Sequence, residues 1–166
     1  MQLKSILSTS GLLAIVFILG TSLSGGKKEA GVNDACKRSE SIQAVKKEMV
    51  PYRYERTTTT NVTFKNYDQV KEVAIPLFFD TKYKFVVNCE GLPVDVKVEV
   101  YDQPMGMRKN PVKIMESSEK QFTFELDEEY LKNRVYINYI VPALEDTEDE
   151  VIQKGCIVLA SGYKNV

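Results

Sequence analysis

From about residue 52 onward, apolar and polar residues alternate along the chain. A period of two is the repeat of a strand with one buried and one wet face, and it fits no helix. The pattern is cleanest in Val94-Asp95-Val96-Lys97-Val98-Glu99-Val100-Tyr101-Asp102, where valine holds each even position to Val100 and a charged residue or tyrosine holds the odd ones. Two runs lead into it. Val73, Ile75, Leu77 and Phe79 share one face, and Tyr83, Phe85, Val87 and Cys89 share the face of the next run, with turns at Asp80-Thr81 and Glu90-Gly91-Leu92-Pro93. Pro76 has no N–H for a ladder, so its strand belongs at an edge or a bulge. Upstream, Tyr52, Tyr54, Thr57 to Thr60, Val62 and Phe64 are strand formers, and the threonine run marks an exposed edge.

Downstream, three groups predict further strands: Val112 with Ile114; Phe122, Phe124 and Leu126; and Val135, Ile137, Tyr139 and Val141. Asp127 to Asn133 predicts one helical turn. Gly155 to Tyr163 is apolar on both faces, as a central strand requires. Together these predict an all-β fold, an antiparallel two-sheet β-sandwich of about eight strands, jelly-roll or Ig-like. Ahead of the sandwich, Asn33 or Asp34 can cap a short helix that Val50-Pro51 ends near Met49. Its apolar stripe (Ile42, Val45, Met49) is thin, which predicts peripheral packing on the sandwich.

The first residues have the layout of a targeting signal. Lys4 precedes an apolar core, Gly11 to Gly20, and Ser22-Leu23-Ser24 supplies small residues for a peptidase. The expected organisation is a signal peptide at 1–24, an N-terminal arm and short helix at 25–51, and the β-sandwich domain at 52–166. An uncleaved anchor is the rival, since Ile6 to Gly26 carries no charge and about 20 apolar residues span a bilayer. Ser8, Thr9, Ser10, Thr21 and Ser22 dilute that stretch, and no cysteine follows it to carry a lipid. The expected product is exported (periplasmic, cell-surface or secreted), with no membrane span after signal cleavage.

Charge and chemistry narrow the function classes. Twenty-two basic and 23 acidic residues leave a net charge of −1, which gives no footprint for nucleic acid. The chain has no histidine, so Cys-His and Ser-His-Asp sites cannot be built. A small hydrolase-like enzyme using carboxylate, serine or lysine groups remains an alternative, as does a membrane-anchored assembly subunit. No cofactor and no metal are expected. Glu145-Asp146-Thr147-Glu148-Asp149-Glu150 lacks the alternation and glycine of a calcium loop. Of the three cysteines, Cys36, Cys89 and Cys156, at most one pair can form within a chain. Cys89–Cys156 is the first candidate disulfide, with a bridge from Cys36 to either as the other. Asn61-Val62-Thr63 fits a glycosylation acceptor in a eukaryotic secretory host. By phase, Tyr101 and Tyr136 point outward, and the loop from Asp102 to Pro111 carries Met105, Met107 and Arg108. These five residues are the candidate binding surface, suited to a protein or carbohydrate partner.

The Tyr83–Asp102 segment, an aromatic strand, a Gly-Leu-Pro turn and the valine strand, resembles the middle of exported bacterial β-sandwich modules of the pre-peptidase C-terminal type. The family's Asp-Leu-Asp-like start stands here as Val94-Asp95-Val96, and no protease domain accompanies it. The resemblance implies a non-catalytic, jelly-roll-like exported module and transfers no functional residue. The expected function is therefore a non-catalytic binding or structural module of the bacterial periplasm or cell surface.

Overall fold

The computed structural model describes residues 38–107, 109–144 and 154–165. The elements are α1 (Arg38–Lys47), β1 (Arg53–Thr63), β2 (Gln69–Pro76), β3 (Thr81–Asn88), β4 (Lys97–Tyr101), β5 (Lys113–Ser117), β6 (Gln121–Leu126), β7 (Arg134–Val141) and β8 (Lys154–Asn165). They form two four-stranded antiparallel sheets, ordered β1-β8-β3-β6 and β2-β7-β4-β5. The first strand pairs with the last, the second with the seventh, the third with the sixth and the fourth with the fifth. A chain doubled back on itself and rolled in this way is a jelly roll, which settles the order the alternation left open.

Alternation decides what fills the space between the sheets. Phe85 and Val87 of β3, Val98 and Val100 of β4, Phe122 and Phe124 of β6, Val135, Ile137 and Tyr139 of β7, and Ile157 and Leu159 of β8 make one continuous core. Phe85 stacks on Phe124 with ring centres 4.7 Å apart. A smaller apolar cluster lies outside the first sheet. There Val45 and Met49 of the helix segment, with Ile42 beside them, cover Val86, Val158 and Ala160. This roof explains why β8 reads as apolar on both faces: it is an interior strand with the core on one side and α1 on the other. Gly162 belongs to the same contact, because a Cβ there would stand 2.8 Å from Met49 Sδ and 2.9 Å from the Arg53 carbonyl.

Pairing departs from the alternation in four places. The valine run is a ladder only over Lys97–Tyr101, and Val94 to Val96 lead into it unpaired, although Val96 is still buried. Phe79 does not join the core face of β2, because that edge strand ends at Pro76. Asp127 to Asn133 forms a turn closed by Tyr130 N–H donating to the Asp127 carbonyl (3.0 Å), without a helix.

The fourth correction concerns the cysteines. Cys89 is free and buried, whereas Cys156 is disulfide-bonded, so the two are not joined to each other. Sheet parity gives the reason. Asn88 faces Val158 in the β3–β8 ladder, which places Cys156, Val158 and Ala160 on the helix side, while Cys89 and Ile157 point into the core. The other candidate bridge, from Cys36, falls outside the described residues.

Candidate functional site

Three connections converge at one end of the sandwich: residues 77–80 between β2 and β3, 102–112 between β4 and β5, and 127–133 between β6 and β7. Leu77 N–H donates to the Asn133 carbonyl (2.9 Å), joining the first connection to the third. Burial, then the charge of Asp102, pushes the Tyr130 hydroxyl in the third connection up to about 12.

Each connection is tied internally. In the first, Phe78 N–H donates to the hydroxyl of the core residue Tyr83 (3.0 Å), and Thr81 Oγ1 donates to the Phe79 carbonyl (2.9 Å). Asp80 takes the left-handed backbone region at φ 54°. The second is clamped at its base by Asp102, whose N–H reaches the Val112 carbonyl (3.3 Å) and whose Oδ1 accepts from Val112 N–H (2.9 Å). Gln103 and Lys109 exchange two further hydrogen bonds across the loop. A short 3-10 turn, Met105–Met107, forms its tip.

Among the described residues, this end holds most of the large apolar side chains that face water. Phe78, Phe79, Met107, Val112 and Leu131 are 60% to 79% exposed, and Met105 is 50% exposed. Hydrogen-bonded loops hold them there, away from the core.

The outer face of the β2-β7-β4-β5 sheet adjoins this end. Tyr101 and Tyr136 stand directly opposite each other in the β4–β7 ladder, so their side chains share that face. Met105 N–H donates to Glu72 Oε2 (2.8 Å), which carries the 102–112 loop across β7 to β2. The next row of the sheet runs Glu72, Asn138, Glu99, Glu116. Glu99 was expected on a wet face but is buried, as is Asn138. Its Oε1 lies 2.9 Å from both Lys97 and Lys113, and Tyr101 Oη donates to Oε2 (3.0 Å). Lys113 first, then Lys97, hold the Glu99 carboxyl down at about 2. Both lysines also reach Glu116, whose pKa is lowered. The result is a neutralised ionic lattice that leaves no free charge at Glu99.

Of the residues singled out from sequence, Tyr101, Tyr136, Met105 and Met107 lie at or beside this end, and Arg108 falls outside the described residues. Sequence reasoning missed Phe78, Phe79, Val112 and Leu131. A signal for the first two was present: consecutive phenylalanines after a proline cannot both face one core. Among the described residues, no group of three or more Cys, Asp or Glu side chains could hold a metal ion, and no helix is long and apolar enough to cross a membrane.

No family model matches the chain, and no curated protein matches it. Among solved structures, the chain is similar to the crystal structure of Aeromonas hydrophila PliG, a periplasmic lysozyme inhibitor of g-type lysozyme. The sequence identity is 10% and the TM-score 0.38, over 65% of this chain and 86% of that one.

Proposed function

We propose that this chain is an exported, non-catalytic jelly-roll module of the bacterial periplasm or cell surface, and that it binds a protein partner through its three-loop end. The observation that carries this reading is the group of exposed Phe, Met, Leu and Val side chains on internally hydrogen-bonded loops. Exposed apolar residues scattered singly need no explanation, but their concentration on one end of a rigid scaffold favours an interface. Phe, Met and Tyr are enriched at protein interfaces. Phe78, Phe79 and Leu131 offer nothing to the hydroxyls of a sugar, which favours protein over carbohydrate. Tyr101 and Tyr136 extend the surface onto the sheet, where hydroxyls can serve a polar rim. Export rests on the signal-like residues 1–24. Catalysis has no place in the reading, since the chain lacks histidine and Glu99 is neutralised by lysines.

The test is site-specific photocrosslinking in the producing cell. A benzophenone side chain at position 79 or 131 is expected to capture one discrete host protein, and the same group at Tyr67, exposed at the opposite end, is expected to capture none. The Phe78→Ser/Phe79→Ser variant should abolish capture from position 131 while folding normally. Equal capture from both ends, or none from the loops, overturns the proposal.

A further inference from the structure

The outer face of the β1-β8-β3-β6 sheet carries α1, and the apolar hold between them is thin. Ile42, Val45 and Met49 cover Val86, Val158 and Ala160, and the Lys46 ammonium stands 4.5 Å over the Tyr54 ring. A helix of ten residues is marginal in water by itself. No residue of α1 belongs to the core between the sheets. The sandwich is therefore complete without its roof, whereas the roof depends on what fastens it.

A second hold lies at the start of β8. Cys156 is disulfide-bonded and stands on the helix side of the sheet, 3% exposed. Asn61 of β1 lies opposite it in the ladder, and its N–H donates to the Gly91 carbonyl (3.4 Å), so its backbone is fixed on both flanks. The helix segment leads back toward it. Met49 sits over Gly162, and the apolar cluster continues through Ala160 and Val158, on the face of β8 that Cys156 shares. At about 1.5 Å per residue, the chain from Met49 back to Arg38 covers about 17 Å. At about 3.3 Å per residue, β8 from Gly162 back to Cys156 covers about 20 Å. Arg38 thus starts α1 close to the level of Cys156. Two residues earlier the sequence has Cys36, and two residues of chain reach at most about 7 Å. Cys89, the remaining cysteine, is free and faces the core.

We infer that Cys156 is bridged to Cys36 of the same chain, and that this bridge is a covalent strap holding α1 on β8. It joins positions on either side of most of the sandwich, so it removes much of the freedom that the segment before β1 would otherwise have. A dithiol opens it in a balanced exchange. One thiolate of the dithiol attacks a bridge sulfur, the other resolves the mixed disulfide, and the dithiol leaves oxidised. Two electrons and two protons pass to Cys36 and Cys156, which become thiols. α1 is then held only by its apolar contact and opens, with the sandwich intact. Such a bridge persists in an oxidising compartment, which fits export. α1 lies on the other sheet from Tyr101 and Tyr136, so the test is independent of the loop-end reading.

The experiment uses the protein as it accumulates in its host, purified without reductant. Alkylation in denaturant followed by proteolysis and mass spectrometry should label Cys89 alone and recover the Cys36 and Cys156 peptides as one linked species. In native-state hydrogen exchange, dithiothreitol should speed the amides of α1 by at least about tenfold and leave those of β3 and β8 unchanged. Cys36→Ser should show the reduced pattern without dithiothreitol, and its β3 protection verifies the fold. Label on Cys36 in the unreduced protein, or a link between Cys156 of two chains, overturns the pairing. Exchange in α1 that ignores reduction overturns the strap, as does a loss of protection across both sheets.

Discussion

Replacing Glu99 with glutamine tests the ionic lattice on the outer sheet. The carboxylate shares two lysine ammonium groups at 2.9 Å and a tyrosine hydroxyl at 3.0 Å, and its pKa is held near 2 against an ordinary 4.5. At about 1.4 kcal/mol per tenfold change in proton affinity, that difference corresponds to roughly 3 kcal/mol. Lys97 and Lys113 are each 40% exposed, so water screens part of the attraction and about 1–2 kcal/mol should survive. The sign follows from which state takes up the proton first. As pH falls below 4.5 the unfolded chain protonates while the folded one resists. The contribution is therefore fully present above pH 4.5 and lost as pH falls toward about 2. Urea unfolding of the wild type and Glu99→Gln, followed from pH 7 to pH 2, should show a gap of about 1–2 kcal/mol that closes across this window. Curves that run parallel over the whole range would refute the reasoning.

Tyr139→Phe should raise the melting temperature by a few degrees, because its buried hydroxyl has no hydrogen-bond partner among the described residues and removing it relieves roughly 1 kcal/mol of desolvation. Gly155→Ala should cost about 1–3 kcal/mol in urea unfolding, since the new Cβ would lie 2.5 Å from the Gly91 carbonyl and 2.6 Å from Leu92 Cδ2. Cys89, whose thiol burial pushes up to about 12, should resist a thiol reagent at pH 8 in the folded protein and react fully once unfolded. Rapid labelling of the native state would contradict its placement in the core. Phe78→Ser/Phe79→Ser should change stability by no more than about 0.5 kcal/mol, as expected where side chains bury little.

Strand identity and facing were legible because parity is local. Tyr83, Phe85 and Val87 face the core, as do Phe122, Phe124 and Leu126, because neighbouring side chains on a strand must point to opposite sides whatever the rest of the chain does. The peripheral helix was legible for a similar reason, since Ile42, Val45 and Met49 recur at helical spacing and needed only an apolar patch to cover. The outward placement of Tyr101 and Tyr136 followed from the same parity, although their meeting in one ladder did not.

What the tertiary structure decided was which strands became neighbours and what lay over each face. Alternation does not say that the first strand pairs with the last, so it could not choose the jelly roll. Cys89 and Cys156 carry no mark in sequence that neighbouring strands hold them on opposite faces of one sheet. Glu99 reads as solvated until Lys97, Lys113, Tyr101 and the row through Asn138 close around it. Phe78, Met107 and Leu131 lie far apart along the chain and come to one end of the sandwich only because successive connections return there. Sequence determined the two faces of each strand by itself, because backbone geometry sets them within a few residues. The end proposed for binding came from both sequence and tertiary structure: Tyr101, Tyr136, Met105 and Met107 stood out in sequence, whereas Phe78, Phe79, Val112 and Leu131 reach the same end only through loop convergence, which belongs to the order of the strands.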